Sequence, residues 1–216
     1  MLPLTLGTER QHLRVLCIGA HSDDIEIGCA GTLLRWLTEY PSVDVTWAVF
    51  SAAGARAEEA RASARALLGA ASAHRIILGD FDDAHLPGDF VRAKAFMQGL
   101  RDHGEPDVIF THRLEDAHQD HRLVAELTWQ TWRDQLILEY EIPKYEGDLG
   151  RPNLYAELPA AAAQGKIDHL LKHFGSQRSK DWFCAETFSG LMRLRGVECR
   201  AQSGWAEGFH VRKARF

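Results

Sequence analysis

Residues 15–34 read VLCIGAHSDDIEIGCAGTLL. The first six are apolar and fit a buried strand, predicted over 14–20. A histidine and two adjacent aspartates follow at once. Ile27, Ala30, Leu33, Leu34 and Leu37 then recur at helical spacing, and Pro41 acts as a stop, which predicts a helix over 26–40. Strand, polar turn and helix make the opening unit of an α/β fold. The unit repeats three more times, with strands predicted over 43–50, 74–78 and 106–111 and helices over 56–70, 89–103 and 118–136. Such a rhythm implies a parallel sheet covered on both faces, a Rossmann-like three-layer sandwich.

From about Glu139 the rhythm breaks. EYEIPKYEGDLGRPN reads as a strand end running into a long loop over 141–153, expected to overhang the site. Beyond it lie a strand over 153–158, helices over 160–174 and 182–194, and a closing edge strand in WAEGFHVRKARF. At 216 residues one domain, 1–216, is the better expectation than two. A formal charge of −5 argues against nucleic acid or an anionic membrane as the partner. No apolar run is long enough to span a bilayer, so no transmembrane segment is expected. MLPLTLGTERQH lacks the basic and apolar parts of a signal peptide. Cys17, Cys29, Cys184 and Cys199 form no CxxC pair, which fits a reducing, cytoplasmic setting better than a disulfide framework.

If the first three units wind one way and the fourth reverses, the strand order is 3-2-1-4. The carboxyl ends of strands 1 and 4 are then neighbours at a switch point, where open α/β sheets bind ligands. Those two ends carry the most polar stretches in the chain, HSDD at 21–24 and THRLEDAHQDH at 111–121. Dinucleotide binding does not fit the first turn. GCAG is not G-x-G-x-x-G, and aspartates stand where a pyrophosphate needs backbone N–H groups. A metal fits better. A catalytic zinc takes three N/O ligands and keeps one open position; two residues of the first cluster and one of the second would supply them. An adjacent aspartate and histidine would remain for proton transfer. The plainer alternatives are that Asp23 or Asp24 caps the helix, and that His118 and His121 lie on a solvated helix face.

HSDDIEIGCAGTL resembles HPDD-x-E-x-G-x-GGTL, the zinc-binding signature of the PIG-L/LmbE family of N-deacetylases, and DAHQDH resembles that family's D-x-H-x-DH. Looser matches are Arg56 and Glu59 opening the helix that ends in LLG, DDAHLP, HFGSQ and AEGFH. The resemblance implies a zinc site at the carboxyl ends of the strands with His21, Asp24 and His121 as ligands, another divalent ion being an alternative to Zn2+. It implies Asp23 as general base and His118 as the group that stabilises the oxyanion or protonates the leaving amine. Arg56, and less directly Asp83, would hold the substrate's hydroxyls or a phosphate. The implied reaction removes acetate from an N-acetylglucosamine-type sugar or glycan intermediate. Ser22 replaces the usual proline, losing a fixed φ, and Cys29-Ala30 stands where a glycine is usual.

Two other functions compete with this one: the same chemistry on the amide of a thiol–sugar conjugate, and a non-catalytic nucleotide- or sugar-binding module. Six further histidines, His74, His85, His103, His112, His169 and His173, read as surface or core residues, and Cys29 as a small buried apolar one. Asp116 and Asp120 read equally as acceptors that orient a histidine or as helix-start residues. Arg151, Arg178 and Lys180 read as a solvated charged surface before a phosphate site. Oligomeric state is not legible, and a homo-oligomer stays open.

Overall fold

The computed structural model describes residues 11–215, so the signal-peptide reading falls largely on residues outside it. In chain order the elements are β1 (His12–His21), α1 (Asp24–Glu39), β2 (Ser42–Ser51), α2 (Ala55–Leu67), β3 (Ala73–Leu78), α3 (Phe90–Gly99), β4 (Val108–Thr111), α4 (Gln119–Thr131), β5 (Leu136–Tyr140), β6 (Leu154–Glu157), α5 (Ala160–His173), α6 (Ala185–Cys199) and β7 (Ala206–His210). They build a seven-stranded sheet of order β3-β2-β1-β4-β5-β7-β6. β1 to β5 are parallel, and β7 runs antiparallel between β5 and β6.

The expected order 3-2-1-4 is present, and the reason lies in strands apolar on both faces. Val15 and Cys17 of β1, Val45 and Trp47 of β2 and Phe110 of β4 pack toward α1, α2, α5 and α6. Leu16 and Ile18 of β1, Ala48 and Phe50 of β2 and Ile109 of β4 pack toward α3 and α4. Three expectations need correction. The helix predicted over 118–136 ends at Thr131, and Leu136–Tyr140 is a separate parallel strand. Leu136 and Ile137 continue the helical apolar spacing, so periodicity alone could not divide the two. The closing strand is not an edge: β7 sits between β5 and β6, and β6 is the edge. The last helix begins at Ala185 rather than 182 and runs on to Cys199.

Two features hold α1 against the sheet. A Cβ on Gly28 would lie 2.4 Å from the Tyr140 ring, and one on Gly31 2.6 Å from Leu158; the GCAG segment lies inside α1, and its glycines serve close packing. Glu207 on β7 accepts the N–H groups of Gly31 and Thr32 at 3.0 and 2.8 Å. Lys166 of α5 pairs with Glu207 at 2.6 Å and donates to the Ile27 carbonyl at 2.5 Å. A buried ion pair thus grips the helix midway along its length.

Gly28→Ala is expected to destabilise the fold by about 1–3 kcal/mol through overpacking against Tyr140. Gly69→Ala, where an added Cβ meets nothing within 4 Å, is expected to stay within about 0.5 kcal/mol of the parent. Urea unfolding of the two variants checks the difference.

Candidate metal centre

β1 ends at His21 and β4 at Thr111, and the parallel pairing of these strands brings the two polar clusters together. Asp24 is the first residue of α1, and its Oδ2 accepts the backbone N–H of His21 at 2.6 Å. Asp23 occupies the N-cap position but its side chain makes no cap hydrogen bond. That leaves its carboxylate uncommitted to the backbone and sets aside the capping alternative for this residue. His118 caps α4, its Nδ1 accepting the N–H of Asp120 at 3.2 Å. His121, one turn further, is 3% exposed and does not lie on a solvated face.

The inner nitrogens converge. His21 Nδ1 stands 3.1 Å from His121 Nε2 and 3.3 Å from Asp24 Oδ2, and His121 Nε2 stands 3.5 Å from Asp24 Oδ1. Ligands bound at about 2.0–2.1 Å on a tetrahedral zinc are about 3.4 Å apart, so these separations fit a divalent ion. The outer nitrogens point the other way. His21 Nε2 meets Asp83 Oδ1 at 3.0 Å and Asp120 Oδ2 at 3.2 Å, and His121 Nδ1 meets Asp116 Oδ2 at 3.1 Å. Carboxylates on the outer N–H groups leave the inner nitrogens as lone pairs aimed at one another. Two lone pairs beside a carboxylate require a positive charge between them, a proton or a metal.

Three other donor groupings are close enough to consider among the described residues: Asp24, His112 and His121; His21, Asp83, His118 and Asp120; and His21, His118 and His121, which puts the half-buried His118 in place of Asp24. His112 Nε2 already accepts the N–H of Ala20 at 2.9 Å, so its lone pair is in use. Burial, then His121, lowers that ring to about 4 and keeps it neutral. The second grouping uses the outer nitrogen of His21, where its proton belongs.

The electrostatics follow the same division. Burial opposes it, yet His121, His112 and His21 hold the Asp24 carboxyl well below the usual range. Against burial, Asp24 and Asp120 raise His21, and Asp24 and Asp116 raise His121. Burial, then Asp24, raises Asp23. Beneath the cluster, Glu26 is fully buried and accepts from Ser63, whose Oγ lies 2.8 Å from His169 Nε2 on α5. Burial pushes Glu26 up, and burial followed by His173 and Lys172 pushes His169 down to about 4.

All seven residues singled out from sequence lie here: His21, Asp23, Asp24 and His121 are buried, His118 and Arg56 half-buried, and Asp83 exposed. Asp83 bridges His21 to Arg56 Nη1, 2.5 Å from its Oδ2. Asp116 and Asp120 serve as orienting acceptors, and Asp120 also accepts the N–H groups of Ala84 and Leu86. Glu26, His112 and Lys144 were not foreseen. Only Glu26 carried a signal, as the E of the HSDDIE stretch.

Residues 16–132, more than half of the chain, match the family model described as PIG-L: GlcNAc-PI de-N-acetylase. Among solved structures, N,N'-diacetylchitobiose deacetylase from Pyrococcus horikoshii is 19% identical with a TM-score of 0.68, over 92% of this chain and 83% of that one. The zinc-inhibited form of teicoplanin deacetylase Orf2 is 14% identical with a TM-score of 0.72, over 92% and 97%. GalB, a 4-carboxy-2-hydroxymuconate hydratase from Pseudomonas putida KT2440, is 18% identical with a TM-score of 0.73, over 94% and 98%. At these identities the three show a shared fold.

His169 supplies a pH prediction. Folded, it titrates at about 4 against an ordinary 6.5. The unfolded chain therefore binds the proton first, and the stability His169 contributes is complete above 6.5 and lost as pH falls toward 4. Between about pH 7 and pH 5 the urea midpoint of His169→Gln should fall less than that of the parent chain.

Proposed function

The chain belongs to the PIG-L family, and from that premise we propose that it is a metal-dependent hydrolase removing the N-acetyl group from an N-acetylglucosamine-type sugar or sugar conjugate. The observation that supports this reading best is the convergence of His21 Nδ1, His121 Nε2 and the Asp24 carboxylate at cation-binding separations. These three residues would hold the ion, and zinc suits two imidazoles and a carboxylate, with other divalent ions as alternatives. Bound there, the ion supplies Lewis acidity toward an amide carbonyl and toward water.

Asp23 is the general base. It lies beside Asp24, makes no cap bond, and is buried where a raised pKa improves proton uptake. It takes a proton from the attacking water and returns it to the departing nitrogen, so acetate and a free amine leave. His118 accepts the Asp120 N–H at Nδ1, which places the proton of its neutral ring on Nε2. From there it donates to the oxygen that becomes negative as the carbonyl carbon turns tetrahedral. Arg56, fixed by Asp83, holds sugar hydroxyls or a phosphate near Asp23. The substrate is a small acetylated amino sugar, free or conjugated. The whole chain, 1–216, is one catalytic domain acting in the cytoplasm. No helix among the described residues is long and apolar enough to cross a membrane.

The fold alone does not choose the reaction, since a hydratase shares it. Acetate release does. With zinc supplied, the protein should release acetate from N-acetylglucosamine or N,N'-diacetylchitobiose. Asp23→Asn should lower kcat by about 10²–10⁴-fold while the metal content stays unchanged. A near-parental rate in that variant would remove Asp23 as the base. No acetate from any N-acetyl sugar or conjugate tried would remove the deacetylase reading and turn attention to hydration of an unsaturated acid.

A further inference from the structure

The loop after β5 carries a lysine into the site. Lys144 Nζ lies 3.1 Å from each oxygen of Asp116 and 2.7 Å from each oxygen of Asp148, and its side chain is 8% exposed. Asp148 ties the loop down from its other side: its Oδ2 accepts the Ala117 N–H at 2.6 Å, and its carbonyl accepts Arg113 at 2.8 Å. Asp116 sits between this lysine and the candidate ligand. Its Oδ1 accepts the His118 N–H at 2.8 Å and its Oδ2 faces His121 Nδ1 at 3.1 Å.

A carboxylate this buried, left with only an imidazole and a backbone N–H as partners, turns toward water when no counter-charge holds it in place. That turn removes the acceptor that orients the His121 ring. Lys144 is the one lysine or arginine within ion-pair distance of the Asp116 carboxylate among the described residues. We propose that Lys144 is a positioning residue for His121, acting through Asp116, so that loop 141–153 is part of the metal centre and not only a cover above it. This rests on reading His21, Asp24 and His121 as metal ligands.

The test measures the Zn2+ dissociation constant by chelator competition in the full chain. Lys144→Met should raise it by about 10–100-fold, the range seen when the partner of a ligating histidine is lost. Asp148→Asn loosens the loop but leaves the charge of Lys144 on Asp116, and should bind Zn2+ close to the parental value. In an Asp116→Asn background, Lys144→Met should add little, because both changes break one chain of contacts. Lys144→Gln gives the same comparison if the methionine variant does not fold.

Parental affinity in Lys144→Met would overturn the proposal. So would an equal loss in Asp148→Asn, which would reduce Lys144 to a loop fastener, or full additivity with Asp116→Asn. A parental chain that binds no Zn2+ would instead overturn the metal-centre reading itself, and the inference with it.

Discussion

Two imidazole rings hold their inner nitrogens 3.1 Å apart, beside a buried aspartate, with their outer N–H groups committed to other carboxylates. Much of the surrounding arrangement follows from that constraint. Neither nitrogen can turn away, because Asp120 and Asp83 hold one ring and Asp116 the other. The pair must share a positive charge. Asp23, Asp24, Asp83, Asp116 and Asp120 gather within two short segments and one loop, and ion pairs bring Arg56 to Asp83 and Lys144 to Asp116. A cation at the centre would complete this balance and let the adjacent aspartates at 23 and 24 coexist.

The fold supplies the precision that such a cluster needs. The candidate ligands come from the carboxyl end of β1, His21, and from the first turns of α1 and α4, Asp24 and His121, so each side chain sits on a rigid element. The axial position of α1 decides where Asp23 and Asp24 stand. It is set by the close approach of Gly28 to Tyr140 and by the Lys166–Glu207 pair on the helix backbone. Here the antiparallel C-terminal strands contribute to a site they do not line. Tyr140 adds a further tie, its hydroxyl donating to the carbonyl of Ile18 on β1 at 2.7 Å.

The parallel half of the sheet was legible because four apolar runs alternate with four amphipathic ones, and a buried strand has few other ways to look. The boundary near residue 131 was not legible, since apolar spacing continues unbroken from α4 into Leu136 and Ile137. The place of β7 between β5 and β6 depends on pairing across the sheet, which no local pattern encodes. In the site, HSDD and DAHQDH announced themselves by polarity at strand ends. Their sorting into inner and outer partners depends on ring orientation, which spacing does not give. Lys144 was hidden for a related reason: a lysine in a Pro- and Gly-rich loop looks solvated until the loop is seen to fold back onto Asp116.

The central claim is that the opening histidine and aspartates form a metal centre with His121. The most direct measurement is the metal content of the purified protein after incubation with zinc and exhaustive dialysis, compared with His121→Ala treated in the same way. The account predicts close to one zinc per chain in the parent and none retained in the variant, with both chains folded. A parent that retains no zinc, or a variant that retains as much as the parent, would contradict it.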